Sequence, residues 1–409
     1  MEFLNRIFRG DKVVWVVFML LLLISVVEVF SAASMLTYGK ADYWQPVREH
    51  SINLLLGLVV VYVLHLFPYR YYKAVPIILV PVSIGMLVWV LVKGTAVNDA
   101  NRWIDLGFIT IQPSELAKVG VVMGTAFILS RTQTDEGANP NAMKWILWMT
   151  GIVCLLIAPE NLSTAALLFG VVLVMMYIGR VPWRQLGKLL GGIGIAIVLF
   201  GSLLLLPYKT LDSIPGLNRL TTWKARFERF FESPDHVPAA QFKITDENFQ
   251  ETHATMAIAS SNVIGRGPGN SVERDYLPQA YSDFIFAIII EELGLGGGAF
   301  VVLLYIILLV RAAKIAQRCR GYFPAFLVMG CALMLVAQAM LNMMVAVGLF
   351  PVTGQPLPLI SRGGTSTLIN CGYIGMILSV SYYTEKFNLD AEAAKEIETE
   401  DDVPGILGA

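Results

Sequence analysis

Long apolar runs separated by short polar stretches dominate the chain. A membrane-spanning helix needs about 20 mostly apolar residues. Ten runs approach that length, at 13–36, 51–67, 74–92, 114–130, 143–158, 162–179, 187–207, 283–310, 322–349 and 366–384. They predict an all-α polytopic integral membrane protein with ten transmembrane helices. The runs on either side of Pro159 are close enough for a tight hairpin. The first run, Val13 to Leu36, exceeds the h-region of a signal peptide and has no small-residue cleavage pattern after it, so it reads as the first span. No internal repeat appears, so the pattern lacks the repeat symmetry of many transporters.

Charge sets the orientation. Lys and Arg concentrate on cytoplasmic loops. Arg6, Arg9 and Lys12 precede the first run, and alternate loops carry Arg70 and Lys73, Arg131 and Lys144, Arg180, Arg184 and Lys188, then Arg311, Lys314, Arg318 and Arg320. This places both termini in the cytoplasm. Two outward loops are long, at about 93–113 and 208–282, the second joining helices 7 and 8. The chain divides into a membrane domain over 1–384 and an acidic tail over 385–409, expected to be solvated and disordered. In the long loop Trp223, Phe227 and Phe230 recur at helical spacing between basic residues, which predicts an amphipathic helix on the membrane surface.

Composition agrees. Of 409 residues 56% are hydrophobic and 15% charged, against about 25% charged in soluble domains. A net charge of -1 supplies no field for nucleic acid. Four cysteines and four histidines are scattered without C-x-x-C spacing, so neither zinc nor disulfides are expected.

Several polar groups stand out in this apolar background. Pro113-Ser114-Glu115 opens the fourth run, with Lys118 three residues on. Pro and Glu suit a helix start, and Glu115 with Lys118 makes an i, i+3 pair; the same charges also suit a polar cavity at the membrane boundary. Arg102-Trp103 reads as an interfacial anchor, the reading physics alone favours, or as a diphosphate ligand. Asp283 opens the eighth run, where a helix N-cap is the commoner fate. Glu291 and Glu292 lie about 12 Å further along that helix and are costly unless paired, protonated or facing a cavity. The glycines from Gly294 to Gly298 allow a bend or close packing. Pro351 to Ser366 is too apolar for a free loop and too rich in Pro and Gly for a span. Irregular backbone at membrane depth must be buried or line a cavity, and Ser361, Arg362 and Thr365 cluster here. Glu28 is an intramembrane charge with no assigned partner.

Together these motifs resemble the SEDS family (shape, elongation, division and sporulation) of bacterial peptidoglycan polymerases. The matching residues are Arg102-Trp103-Ile104, Gln112-Pro113-Ser114-Glu115 with Lys118, and Tyr276-Leu277-Pro278. They continue through Asp283-Phe284-Ile285-Phe286-Ala287, Glu291-Glu292-Leu293-Gly294, Pro351-Val352-Thr353-Gly354, Leu357-Pro358-Leu359-Ile360-Ser361 and Gly363-Gly364. Gly269-Asn270-Ser271 resembles the division branch more than the elongation branch. Departures are Asn161 where the family has a carboxylate, Arg362 where an aromatic residue is common, Ser261-Asn262 for a Gly-Gly pair, and Pro268 for an aliphatic residue.

The resemblance implies a lipid II substrate, extended into β-1,4 glycan with inversion during septal wall synthesis. Asp283 would be the base. Arg102, Lys118 and Arg362 would meet the diphosphate. Glu115 would orient Lys118 or hold a divalent cation, Trp103 would shape the cavity, and Ser114 and Ser361 would line it. It further implies a class B penicillin-binding transpeptidase as partner, other division proteins, and residence in the bacterial inner membrane at the septum. A lipid II flippase and a non-catalytic division scaffold are the competing classes.

Overall fold

The computed structural model describes residues 8–32, 44–93, 95–97, 100–105, 110–205, 218–231, 244–245, 248–277 and 280–401. The described helices are α1 (Lys12–Ala32), α2 (Gln45–Leu66), α3 (Val75–Lys93), α4 (Pro113–Thr132), α5 (Pro140–Ile157), α6 (Leu162–Ile178), α7 (Trp183–Leu204), α8 (Asn218–Phe231), α9 (Phe249–Ala259), α10 (Ile285–Arg318), α11 (Tyr322–Ala346) and α12 (Gly364–Asp401). Each expected span coincides with one of them. Seven, namely α1, α2, α3, α5, α7, α10 and α11, are long and apolar enough to cross a membrane, and α6 is a shorter apolar helix.

Local chemistry sets the helix starts. Pro113 occupies the first turn of α4 and Pro140 that of α5, where a missing N–H costs nothing. Asn139 caps α5 by accepting from Asn141 N, and Asn161 caps α6 by accepting from Thr164 N at 3.1 Å. The centre of the bundle is α11, which packs against α4, α6, α10 and α12, while α12 lies along α2. In contrast, α7 exposes Ile195, Val198 and Leu199, as a lipid-facing helix does.

The structure adds detail between the helices. The first long outer loop carries an antiparallel sheet of β1 (Thr95–Val97), β2 (Ala100–Asp105) and β3 (Thr110–Ile111). A second hairpin joins β4 (Gln133–Thr134) to β5 (Gly137–Ala138). Of the second long loop, α8 and α9 are described. The expected amphipathic helix is α8, yet it rests on protein. Lys224 is buried, Trp223 meets Phe200 of α7 at 5.7 Å, and Arg226 donates to Val352 O at 3.2 Å. Of the tail expected to be disordered, 402–409 lies outside the described residues, and 385–401 continues α12 as far as Asp401. Its extension, Ala391 to Glu396, consists of Ala, Glu and Lys, strong helix formers that need no packing to favour the helix.

The eighth expected span is two half-helices. Gly294 in α10 has φ 75 and ψ 179, a conformation open almost exclusively to glycine. Beyond it the chain folds back, since a Cβ on Gly298 would lie 2.8 Å from the Ile290 side chain and 3.6 Å from that of Phe286. In a straight helix residues 286 and 298 are about 18 Å apart. Contacts with α1 give the directions. Ser31, near the end of α1, bonds Glu292, while Asp11, just before α1, pairs with Arg311. The second half of α10 therefore runs antiparallel to α1.

Candidate active site

The segment 351–363 is irregular, buried and held from every side. Gln338 and Asn342, one turn apart on α11, donate to Pro356 O at 3.1 Å and Gln355 O at 2.7 Å. The Gln355 amide reaches Thr164 Oγ1 at 2.7 Å, and Tyr305 donates to Pro358 O. Ser25 of α1 donates to Ile360 O at 2.6 Å while its oxygen meets His50 Nε2 at 2.8 Å. Within the segment Leu359 adopts φ 68, a strained conformation for a side-chain-bearing residue, and strain of this kind concentrates where neighbours dictate the backbone.

This segment fixes the turn that carries Asp283. Ser361 Oγ donates to Ser282 O at 2.6 Å, Arg362 N to Tyr281 O at 3.0 Å, and the Asn342 amide to Asp283 O at 2.8 Å. Ser282 Oγ donates to Asp283 Oδ1 at 3.1 Å. A Cβ on Gly354 would stand 3.6 Å from Asp283 Oδ2. The carboxylate is half-buried. It does not cap α10, whose N-cap position is Phe284 with no side-chain cap. Nor does it lie at the outer end of its half-helix. Its turn is tied through Ser361 and the adjacent Ile360 to Ser25, whereas Glu292 is tied to Ser31. Six residues of α1 place Asp283 about 9 Å back along the bundle.

The other candidates fall into four places. Glu115 and Lys118 are buried and paired at 2.7 Å, and Lys118 Nζ donates to Gln338 Oε1 at 2.9 Å, so the pair supports the clamp on Pro356. Ser114 is buried and shares a small cleft with Asn161. Arg362 pairs with Glu49 at 2.6 Å and lies over the Tyr281 ring at 5.7 Å. Beside it opens a cavity of about 470 Å³, lined by Gln45, Glu49, Asn53, Tyr281 and Arg362. A cleft of about 70 Å³ lies between Asn161, Trp223, Arg226 and Thr353. Arg102 and Trp103 lie on β2, where Trp103 is half-buried and faces Thr95; the Arg102 side chain falls outside the described residues, as do Pro278 and Gln279. Among the described residues no three His, Cys, Asp or Glu side chains converge as a metal site would require.

Glu291 and Glu292 find their partners outside the site. Glu291 accepts from Arg266 at 3.0 Å, Ser271 Oγ at 2.5 Å and Val272 N at 3.0 Å. Glu292 accepts from Gly269 N at 2.9 Å and from Ser31. Together they staple the 262–274 loop to the elbow of α10. The clamp residues Gln338, Asn342, Gln355 and Thr164 were not singled out from sequence. Their only signal was polarity: Gln338 and Asn342 sit one turn apart in an otherwise apolar span.

The profile of the FtsW/RodA/SpoVE family, described as cell cycle proteins, matches residues 11–386. The chain belongs to this family. Among FtsW/RodA/SpoVE relatives, one from Hahella chejuensis is 32% identical over 379 residues, covering 90% of this chain and 86% of its own. One from Coxiella burnetii is 31% identical over 385 residues, covering 91% and 96%. Both carry the name "Probable peptidoglycan glycosyltransferase FtsW". The fold is similar to a chain solved in a peptidoglycan synthase complex, with TM-score 0.69, 24% identity and coverage of 92% of this chain and 98% of that one. It is also similar to the rod shape determining protein RodA of Thermus thermophilus, with TM-score 0.62, 24% identity and coverage of 91% and 96%. Within the FtsW/RodA/SpoVE frame, the Asn161 departure has a structural account. The amide caps α6, a task an aspartate would perform equally.

Proposed function

We propose that the protein is a peptidoglycan glycosyltransferase that polymerises lipid II, with Asp283 as general base. The carrying observation is the placement of Asp283: a half-buried carboxylate in a turn clamped by three backbone bonds, where Tyr281 of that turn and Arg362, tied to it, line a cavity large enough for a ligand. Asp283 accepts the proton of the acceptor hydroxyl. The freed oxygen forms a bond to the anomeric carbon of an α-linked donor, and the bond from that carbon to the diphosphate breaks with inversion. The lipid diphosphate leaves with the negative charge. Arg362, at the cavity wall, and Arg102 stabilise that charge. Lys118, which is fully buried, acts through Gln338 as a positioning residue. Trp103 and Ser114 shape the surroundings of the substrate, and a divalent cation would add charge neutralisation on the diphosphate.

The same reading gives the protein a class B penicillin-binding transpeptidase as partner and a septal location, with both termini cytoplasmic. The partner is supported by the similar chain solved in a peptidoglycan synthase complex, the septal location by the family, and the orientation by the Lys and Arg of alternate loops.

The test is polymerisation of purified lipid II by the full chain with its transpeptidase partner. Asp283→Asn preserves size and removes the base. Polymer yield should fall at least about 100-fold, the lower bound for a general base, while partner binding is retained. Equal yield from both proteins would remove Asp283 from the mechanism. If wild type itself makes no polymer in a competent assay, transport or scaffolding takes the lead.

A further inference from the structure

A cavity of about 620 Å³ lies at the end of the bundle remote from Asp283. It opens where α1 starts, α10 ends and α12 passes by. Four cations line it: Arg9 and Lys12 before and at the start of α1, and Arg311 and Arg318 on the last turns of α10. Two acids answer them, Asp11 and Glu385. Asp11 is already committed. It pairs with Arg311 and accepts from Val13 N at 2.9 Å and Val14 N at 3.1 Å. The Arg9 guanidinium lies 5.3 Å from the centre of the Tyr382 ring. Four cations against two anions leave an excess of two positive charges in a concave space.

The position narrows the ligand. From Val13 to Val27 α1 is almost wholly apolar, and so is α10 from Gly294 to Val310, so the basic ring sits where bilayer hydrocarbon gives way to headgroups. The rim carries exposed Val13 and Leu389, surfaces along which an acyl chain can lie. A free anion would use the cations and leave this apolar rim idle. Basic pockets between helix ends are a recurring form of lipid headgroup recognition.

We propose that this cavity binds the phosphate headgroup of an anionic phospholipid. The bound lipid ties α1, α10 and α12 together at one end. Those helices also carry Ser25, the elbow at Gly294, and the residues that follow Arg362. The site is independent of the polymerase reading, because it needs neither Asp283 nor the 470 Å³ cavity.

Thermal unfolding of the full chain in neutral detergent micelles, titrated with cardiolipin, tests the proposal. Phosphatidylcholine and inorganic phosphate serve as separate arms. Cardiolipin should raise the midpoint for wild type, with saturation, and phosphatidylcholine should not. Lys12→Gln combined with Arg318→Gln should weaken the apparent affinity by about tenfold or more. Glu385→Gln, which removes an opposing charge, should tighten it several-fold. Lys144→Gln, an exposed cation outside the cavity, should behave as wild type. Should the double variant fail to fold, Glu385→Gln carries the test alone. The proposal is overturned if the double variant and Glu385→Gln titrate like wild type, or if inorganic phosphate alone reproduces the shift.

Discussion

Lys118 has no exposed surface, yet it carries a formal charge in the middle of a packed bundle. What makes this tolerable is the double satisfaction of its ammonium by Glu115 and Gln338. Removing one partner of a buried pair is far worse than removing both. Lys118→Met should therefore destabilise the protein by about 3–5 kcal/mol, and adding Glu115→Gln should recover most of the loss. A double-mutant cycle on the unfolding midpoint reads this directly; additive effects would contradict it. Asn161 makes a milder case. Asn161→Ala removes the α6 cap and should cost about 1 kcal/mol, while Asn161→Asp should be nearly neutral in the same assay. The sequence showed a missing carboxylate at Asn161 and a charged pair at Glu115 and Lys118. It did not show Gln338, 220 residues from Lys118, because a single Gln in an apolar run carries no spacing signal of its own.

The elbow of α10 is the element on which the site depends. Its glycines were visible as a bend or a packing face, but a reversal of direction was not. Partners that reveal it, Ser31, Gly269 and Ser271, come from segments remote in sequence. A Cβ at residue 294 would stand 2.3 Å from Val263 O, in a conformation that side chains avoid. Gly294→Ala should cost at least the upper end of the roughly 1–3 kcal/mol for such backbone strain. It should also open the 262–274 loop to trypsin at Arg266 and Arg274. Limited proteolysis beside a melting curve would show both; a variant as resistant as wild type would argue that the elbow bends elsewhere. Apolar runs located the helices well because period and length are local properties. The short strands of the 95–111 loop and the helical continuation to Asp401 went unread, since the first depend on pairing and the second lies beyond the apolar signal.

Across the whole molecule, contacts gather the basic loops on one face. Arg180 O accepts from Ala138 N, Lys73 lies over Phe323, Arg320 over Phe387, and Arg311 pairs with Asp11. Positive charge on one face predicts its cytoplasmic orientation. Cysteines introduced at Asp135 and Gly321 should label only after the membrane is opened, and one at Gln45 should label in intact cells with an impermeant maleimide. The opposite pattern would invert the topology. The elbow also has a consequence for biosynthesis. The half-helix Ile285–Leu293 rises only about 14 Å, less than half of the roughly 30 Å of hydrocarbon a span must cross. No translocon can leave it in the bilayer as a span of its own. It must wait beside α1, made long before, until residues 351–363 emerge from the ribosome and close over it. A nascent chain halted before that point already holds most of the expected spans and has no finished site. The turn bearing Asp283 is thus locked only once residues 351–363 have been made.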